Sequence, residues 1–383
     1  MKTRQWCARV SALSAASLLL ACSSGAATQP GGDSASGAVN EDPGCIAVDD
    51  PLVQAAKDEG SVVMSGPPDP NVREQLPAAF EDRYGVQLDY IGGRGSEIAA
   101  KLQAERQAGI YSQDVFVGGA ETMANVYYKS GWLASLKDML PAETLAPDNW
   151  VRAGSPWVDP DESHILKLSE YVLMPYALNT DELAPSDAPT WKDLLDPSLR
   201  GKFVMDDPRV SGGAIYTATM LYEQLGEDFV RDLYVGQEPT FMTDARQEVD
   251  ALAQGKFAVA MGTNQSDIDA ATTDGLPVEV VSPEGGPLAV TSGFGLLAVA
   301  DRAPHPNAAK LLASWLACSE GNAAWNEAYG TLSARSDVEL EVDLPEYQHV
   351  DPDAEYFDTN SWGFLTGDKQ RVQALLTTML EGK

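Results

Sequence analysis

Between Asp50 and Gly119 the sequence switches three times from a helical pattern to a short strand, and each strand ends in small or polar residues. A chain that repeats this unit buries its apolar faces by layering helices on a sheet, so the pattern predicts an α/β fold. Asp50-Pro51 opens the first helix as N-cap and first-turn proline, and Gly60 closes it before a strand over 62–65. A second helical segment up to Gly85 leads to a strand over 86–91. After Gly92-Gly93-Arg94-Gly95, Ser96 is expected to cap a helix running to about Ala108, followed by a strand over 114–117 and Gly118-Gly119. In open α/β sheets ligands bind at the carboxyl ends of strands, which makes Ser65, Gly66, Gly118 and Gly119 candidate contacts.

The pattern loosens after Leu136 through a stretch rich in Pro and Trp, and residues 168–178 read as extended. A second α/β region follows, with strands over 202–205, 257–261 and 278–281 and helices over 212–225, 245–254 and 266–273. A second extended segment over 288–300 leads into helices over 306–317 and on to Tyr329. Two α/β regions joined by two extended segments predict two lobes linked by crossover strands.

The first 21 residues carry Lys2, Arg4 and Arg9, a short apolar run and no acid, the parts of an export signal. The run from Val10 to Ala21 is too short and too rich in Ser to span a bilayer. Its Leu18-Leu19-Leu20-Ala21-Cys22 end resembles the lipobox of bacterial lipoproteins, which implies cleavage before Cys22 and a palmitate-type lipid on that thiol. The other readings are an ordinary signal with an incidental Cys and a buried apolar helix. The small, polar stretch that follows cannot bury enough surface to offset its ordering entropy and reads as a tether. The net charge of -31 is dispersed through the chain, which disfavours nucleic acid and anionic lipid as partners, since both need clustered Lys and Arg. Export places Cys45 and Cys318 where disulfides form; a bridge between them and two buried free thiols are both open.

Several segments, in order, resemble the extracellular solute-binding proteins of ABC importers, in the lobe arrangement called type 2 and the branch that includes ferric-ion, thiamine, polyamine and aminoalkylphosphonate binders. They are AAKDEGSVVMSG from Ala55, AAFEDRYGVQLDYIGGRGSEIAAKL from Ala78, SQDVFVGG from Ser112, TWKDLLDPSLRGKFVMDDPRVSGG from Thr190, ALAQGKFAVAMG from Ala251 and HPNAAKLLASWLACSEGNAAW from His305. The resemblance covers nearly all of residues 50–337 and implies two lobes that close on a ligand by hinge bending. The expected organisation is a signal over 1–21, a tether over 22–44, a first lobe over 45–168 that is completed by 288–337, a second lobe over 169–287 and a C-terminal helical segment over 338–383. The implied function is a lipid-anchored monomer on the extracytoplasmic face that delivers a small solute to ABC permease subunits.

Ser211-Gly212-Gly213 lies between a strand and a helix, where free N–H groups and the helix dipole favour an anionic group; Ser211 also reads as a plain N-cap. Arg94, Gly95 and Ser96 have the same logic in the first lobe, with a guanidinium fork suited to carboxylate or phosphate. Ferric-ion binders of this family commonly use adjacent tyrosines after the strand that here covers 257–261, and this chain has Gly262-Thr263-Asn264-Gln265 there. The adjacent pair Tyr127-Tyr128 falls on a first-lobe helix, so direct iron capture by it is disfavoured. Asn264 and Gln265 suit an organic solute; Tyr171, Tyr176 and Trp157 are candidate aromatic walls, and Thr291 and Ser292 candidate polar contacts. The expected solute is an organic anion or zwitterion, or a metal complex, with a polyamine or thiamine-type cation as the alternative. Nucleophile-elbow, zinc-protease and P-loop motifs are missing from the sequence and its three histidines are scattered, so neither an enzyme nor a metal or cofactor site is expected. A secreted hydrolase or an adhesion protein on the same fold is the alternative of another class.

Overall fold

The computed structural model describes residues 44–152, 156–210, 213–340 and 344–381. Thirteen strands are placed among them: β1 Ser61–Gly66, β2 Gln87–Gly92, β3 Val115–Gly118, β4 Leu166–Lys167, β5 Tyr171–Val172, β6 Tyr176–Asn179, β7 Phe203–Asp206, β8 Thr240–Met242, β9 Val259–Met261, β10 Val278–Val281, β11 Ala289–Thr291, β12 Leu296–Val299 and β13 Phe357–Asp358. The α-helices are α1 Pro51–Glu59, α2 Pro70–Tyr84, α3 Gly95–Gln107, α4 Ala120–Thr122, α5 Gly213–Leu225, α6 Glu227–Arg231, α7 Ala245–Ala253, α8 Gln265–Thr273, α9 Pro306–Ala317, α10 Ser319–Tyr329 and α11 Lys369–Met379.

Local chemistry sets the first lobe. Asp50 and Asp69 each accept backbone N–H bonds from the helix they precede, each with a proline at the helix start, and Gly85 closes α2 in the left-handed region. Strand order is β2-β1-β3-β12-β4. β1 runs parallel to β2, with Gly66 opposite Gly92, and parallel to β3; β12 returns antiparallel with Leu296 opposite Gly118. Buried Asp114 fastens the start of β3 by accepting from Val63 N (2.8 Å) and His305 N (2.8 Å). Val62, Met64, Val115 and Val117 form one core with Phe80 of α2, Trp315 of α9 and Trp325 of α10. Cys45 and Cys318 are joined by a disulfide that ties the start of the described chain to the end of α9.

The second lobe repeats the layering with order β10-β6-β9-β7-β8. Here β7 is parallel to β8 and β9, and β6 is antiparallel to β9 and β10. Phe203, Met205, Val259 and Met261 pack with Ile215 and Leu221 of α5 and with Val372 and Leu376 of α11.

A third sheet, β13-β11-β5, joins the two. The crossover strands β5 and β11 pair antiparallel, and β13 adds parallel to β11 with Ala289 opposite Phe357. The C-terminal segment was expected only as a helical run. It supplies this strand, then places Phe364 and Leu365 against Phe116, Met123 and Leu296 of the first lobe before α11 enters the second-lobe core. Beside the crossover, Lys167 Nζ donates to Glu170 (2.9 Å) and Asp358 (2.8 Å). Burial opposes the charge on Asp358, but Lys167 outweighs it and holds that carboxyl below its usual range. No described helix is long and apolar enough to cross a membrane. The export signal, Cys22 and the tether up to residue 43 fall outside the described residues.

Candidate functional site

The strand ends of the two lobes line two cavities that share one side chain, Phe294. In the first lobe, Ser65, Gly66, Gly95, Gly118 and Gly119, with Thr122 and Phe294, border a cavity of about 30 Å³. That space is enough for about a water or two. In the second, Asp206, Gly213, Thr217, Thr263, Asn264 and Gln265 border a cavity of about 480 Å³ whose remaining wall includes Tyr171, Leu173, Met174 and Phe294. Phe294 is 46% exposed and stands edge-on to Tyr329. It projects from a turn that requires glycine beside it: Gly293 has φ +53, and a Cβ there would lie 2.5 Å from the Tyr171 hydroxyl. Gly262 is likewise required, with φ +74 and the Ala214 backbone 2.7 Å from where its Cβ would sit. The end of β9 therefore lies directly against the first turn of α5.

The predicted site residues divide. Ser65, Gly66, Gly95, Gly118, Gly119, Tyr171, Gly213, Asn264 and Gln265 line one cavity or the other. Asn264 is also the cap of α8, its side-chain oxygen accepting from Ser266 N at 2.9 Å. Burial and the neighbouring Tyr216 push the Tyr171 hydroxyl up to about 12, so it stays a protonated donor. Ser211 and Gly212 lie outside the described residues.

Six candidates are placed elsewhere. Tyr176 is fully buried in the second-lobe core, its hydroxyl donating to Ala188 O (2.7 Å) and its ring edge-on to Trp191; β6 is the second of five strands, with apolar layers on both faces. Thr291 and Ser292 are buried at the crossover, where the Thr291 hydroxyl accepts from Gly293 N (3.2 Å) and Ser292 Oγ accepts from Asn360 Nδ2 (3.0 Å). Arg94 lines neither cavity; its carbonyl accepts from Glu97 N and Ile98 N at the start of α3, while its side chain is exposed without an ion pair among the described residues. Ser96 is not the cap of α3, because the helix begins one residue earlier and Ser96 sits exposed in its first turn. Trp157 packs against the first-lobe core and bridges to Leu166.

Tyr127 is buried between Phe116 and Trp132, and the Tyr128 hydroxyl donates to Asp161 (2.6 Å). Asp159, Asp161 and His164 have ligand atoms within 4.8 Å of one another, but the Asp159 carboxylate is engaged by the N–H groups of Ser163, His164 and Ile165. It clamps its own loop.

The reading from sequence missed Asp206, Phe294 and Glu248. Asp206 closes the apolar strand FVM, so its place at a carboxyl end was legible. Glu248 lies on the apolar face of α7 with Val249, Ala251 and Leu252, an acid where the helical period calls for an apolar residue. Burial pushes its carboxyl up to about 7; Thr263 opposes this, and the Asp206 and Asp244 carboxylates add to it. Burial also raises Asp206. Among the described residues no Lys or Arg lines either cavity.

The sequence pattern of the bacterial extracellular solute-binding proteins matches residues 75–352. A probable ABC transporter periplasmic-binding protein, y4fP, of Sinorhizobium fredii is 23% identical over 313 residues, 76% of this chain and 80% of that protein. Iron-bound HitA from Pseudomonas aeruginosa superposes with TM-score 0.62 at 18% identity, covering 83% of this chain and 99% of that one. AfuA from Actinobacillus pleuropneumoniae, solved with fructose-6-phosphate, gives TM-score 0.60 at 19% identity over 85% of this chain and 99% of its own. These likenesses carry the two-lobed fold.

Proposed function

The chain belongs to the bacterial extracellular solute-binding proteins, a family of binding proteins and not of enzymes, and from that premise we propose that it is the lipid-anchored, monomeric binding component of an ABC importer. It takes a small zwitterionic organic solute between its lobes and hands it to the permease. The observation that carries this reading is the 480 Å³ cavity at the carboxyl ends of β7 and β9, walled by neutral hydrogen-bonding groups, Tyr171 and Phe294. Asp206 is the charged side chain on that wall and no described Lys or Arg answers it, which favours a solute with a positive group over a simple anion. A bare ferric ion is disfavoured, since Tyr127 and Tyr128 are committed away from the second-lobe wall.

A thermal-shift panel of amino acids, betaines, polyamines, thiamine, phosphonates, sugar phosphates and ferric citrate tests the reading. A solute that binds only the folded protein adds about 2.7 kcal/mol at a hundred times its Kd. The expected hit is zwitterionic, and turnover of any ester, phosphate or glycoside would replace the reading with a hydrolase. For the anchor, Cys22→Ala should move the exported protein from the membrane fraction to the soluble one; retention in the membrane would remove the lipid from the proposal.

A further inference from the structure

Behind the second-lobe wall stands a carboxyl group that solute capture leaves without a role. Glu248 is fully buried on the inner face of α7, and neither carboxyl oxygen has a hydrogen bond of good geometry among the described residues. Thr263, on the cavity wall, is near enough to favour the charged form of Glu248, but the hydrogen bond its hydroxyl makes is a long one to Ala245 O at 3.4 Å. Asp206, at the end of β7 and on the cavity wall, is close enough for its charge to act on Glu248. One acid on the wall and one buried on α7 thus act on each other, and neither has an ion pair among the described residues. The nearby Arg209 is committed to Asp207 through Nε (2.8 Å) and Nη2 (2.6 Å).

A buried carboxylate without a partner is costly, and the cheaper state of such a group is the protonated acid. The other titratable groups on the elements packed around Glu248 do not supply a counter-charge. Asp244 caps α7 and adds negative charge; Arg246 and Asp250 lie on its exposed side; Asp269 of α8 is taken by Tyr347 and Gln348, and Asp267 sits in the first turn of α8. Tyr176 of β6 donates to Ala188 O, and β8 and β9 carry no titratable side chain.

We propose that the wall at Asp206 is a subsite for a positively charged nitrogen of the solute, and that filling it expels the Glu248 proton to solvent, so that capture and proton release are coupled. The inference rests on the solute-capture reading and names its chemistry. A neighbouring positive charge moves a carboxyl's titration down by about 1–3 pH units, and here the solute is the source of that charge. The step balances: the cationic solute and the protonated acid give a complex with an ionised Glu248 and one proton in the buffer. The free acid titrates near 7. Below that pH binding must displace the proton, and affinity falls by up to about tenfold for each pH unit; above it no proton is released and affinity is level.

The test uses the exported protein with choline, glycine betaine, arginine and putrescine, whose positive charges persist from pH 5.5 to 8.5, against phosphate, citrate and fructose 6-phosphate. The expected result is that at least one positively charged probe raises the melting temperature and binds about tenfold or more tightly at pH 7 than at pH 5.5, with a further gain of only about twofold at pH 8.5. Calorimetry of that probe near pH 6, in two buffers of different ionisation enthalpy, should count close to one proton released. Asp206→Asn should abolish its binding, and Glu248→Gln should leave a weaker affinity that ignores pH. Stabilisation by anionic probes alone, or a positively charged probe that binds equally at all three pH values without proton release, overturns the proposal and leaves solute capture standing. The absence of any stabilising probe of either sign takes down both. The proton count in the unaltered protein decides even where a variant folds poorly.

Discussion

The two walls of the cleft come from the same architecture, strand ends meeting helix starts, yet they are built to opposite ends. The first-lobe wall is glycine backbone and apolar side chains such as Ile98, Phe116 and Met123, packed so closely that about 30 Å³ remains, and it stands on a core fastened by the Cys45–Cys318 disulfide and by Asp114. The second-lobe wall leaves about 480 Å³ and carries the charge and the amides, and α7 beside it buries Glu248. One wall supplies shape and the other chemistry, with Phe294 shared between them.

The largest test of this division removes the disulfide. With a sequence separation of 273 between its ends, Cys45→Ser with Cys318→Ser should cost about 2–5 kcal/mol of stability, read by urea denaturation, while solute affinity changes little at a temperature where the protein stays folded. A matching loss of affinity would mean that the first lobe does more than hold shape. Next in size, Phe294→Ala removes the side chain common to both walls and should weaken solute binding about tenfold, or about 1.4 kcal/mol, by titration calorimetry; an unchanged affinity would separate the cavities.

A subtler test lies in the dependence of stability on pH. Because the folded-state titration of Glu248 is raised from its ordinary value to about 7, its favourable contribution is complete below the unfolded value and is lost as pH rises through about 7. Glu248→Gln should therefore melt higher than the parent protein at pH 8 and show no such advantage at pH 4.5, by calorimetric scans across that range. The smallest effect belongs to Arg94→Ala. Exposed and outside both cavities, this residue should change affinity by less than about threefold and stability by under about 0.5 kcal/mol; a tenfold loss would bring it into contact with the solute and reverse the assignment of charge to the second lobe.

Much of the fold was legible because its signals are local. Asp-Pro helix starts, glycine stops and apolar runs of strand length announce themselves over a few residues, and the strand-end positions Ser65, Gly66, Gly118 and Gly119 followed from them. What failed was any judgement that needed the far side of a strand or helix. Tyr176 looked available because its own neighbours say nothing of Trp191 and Ala188, which bury it. Ser292 looked polar and free until Asn360, 68 residues on, took its hydroxyl. Two-residue β13 has no pattern to detect at all.

By itself, then, the sequence determined the succession of helices and strands, the lobe architecture through its ordered motifs and the strand ends that border the cavities, since each of these is written in short-range periodicity and turn chemistry. Which strand-end residues share a cavity, which tyrosine is core, and that a buried, unpaired Glu248 lies within reach of the Asp206 charge were decided by the tertiary structure alone, because burial and electrostatic neighbourhood depend on partners far along the chain that no local pattern specifies.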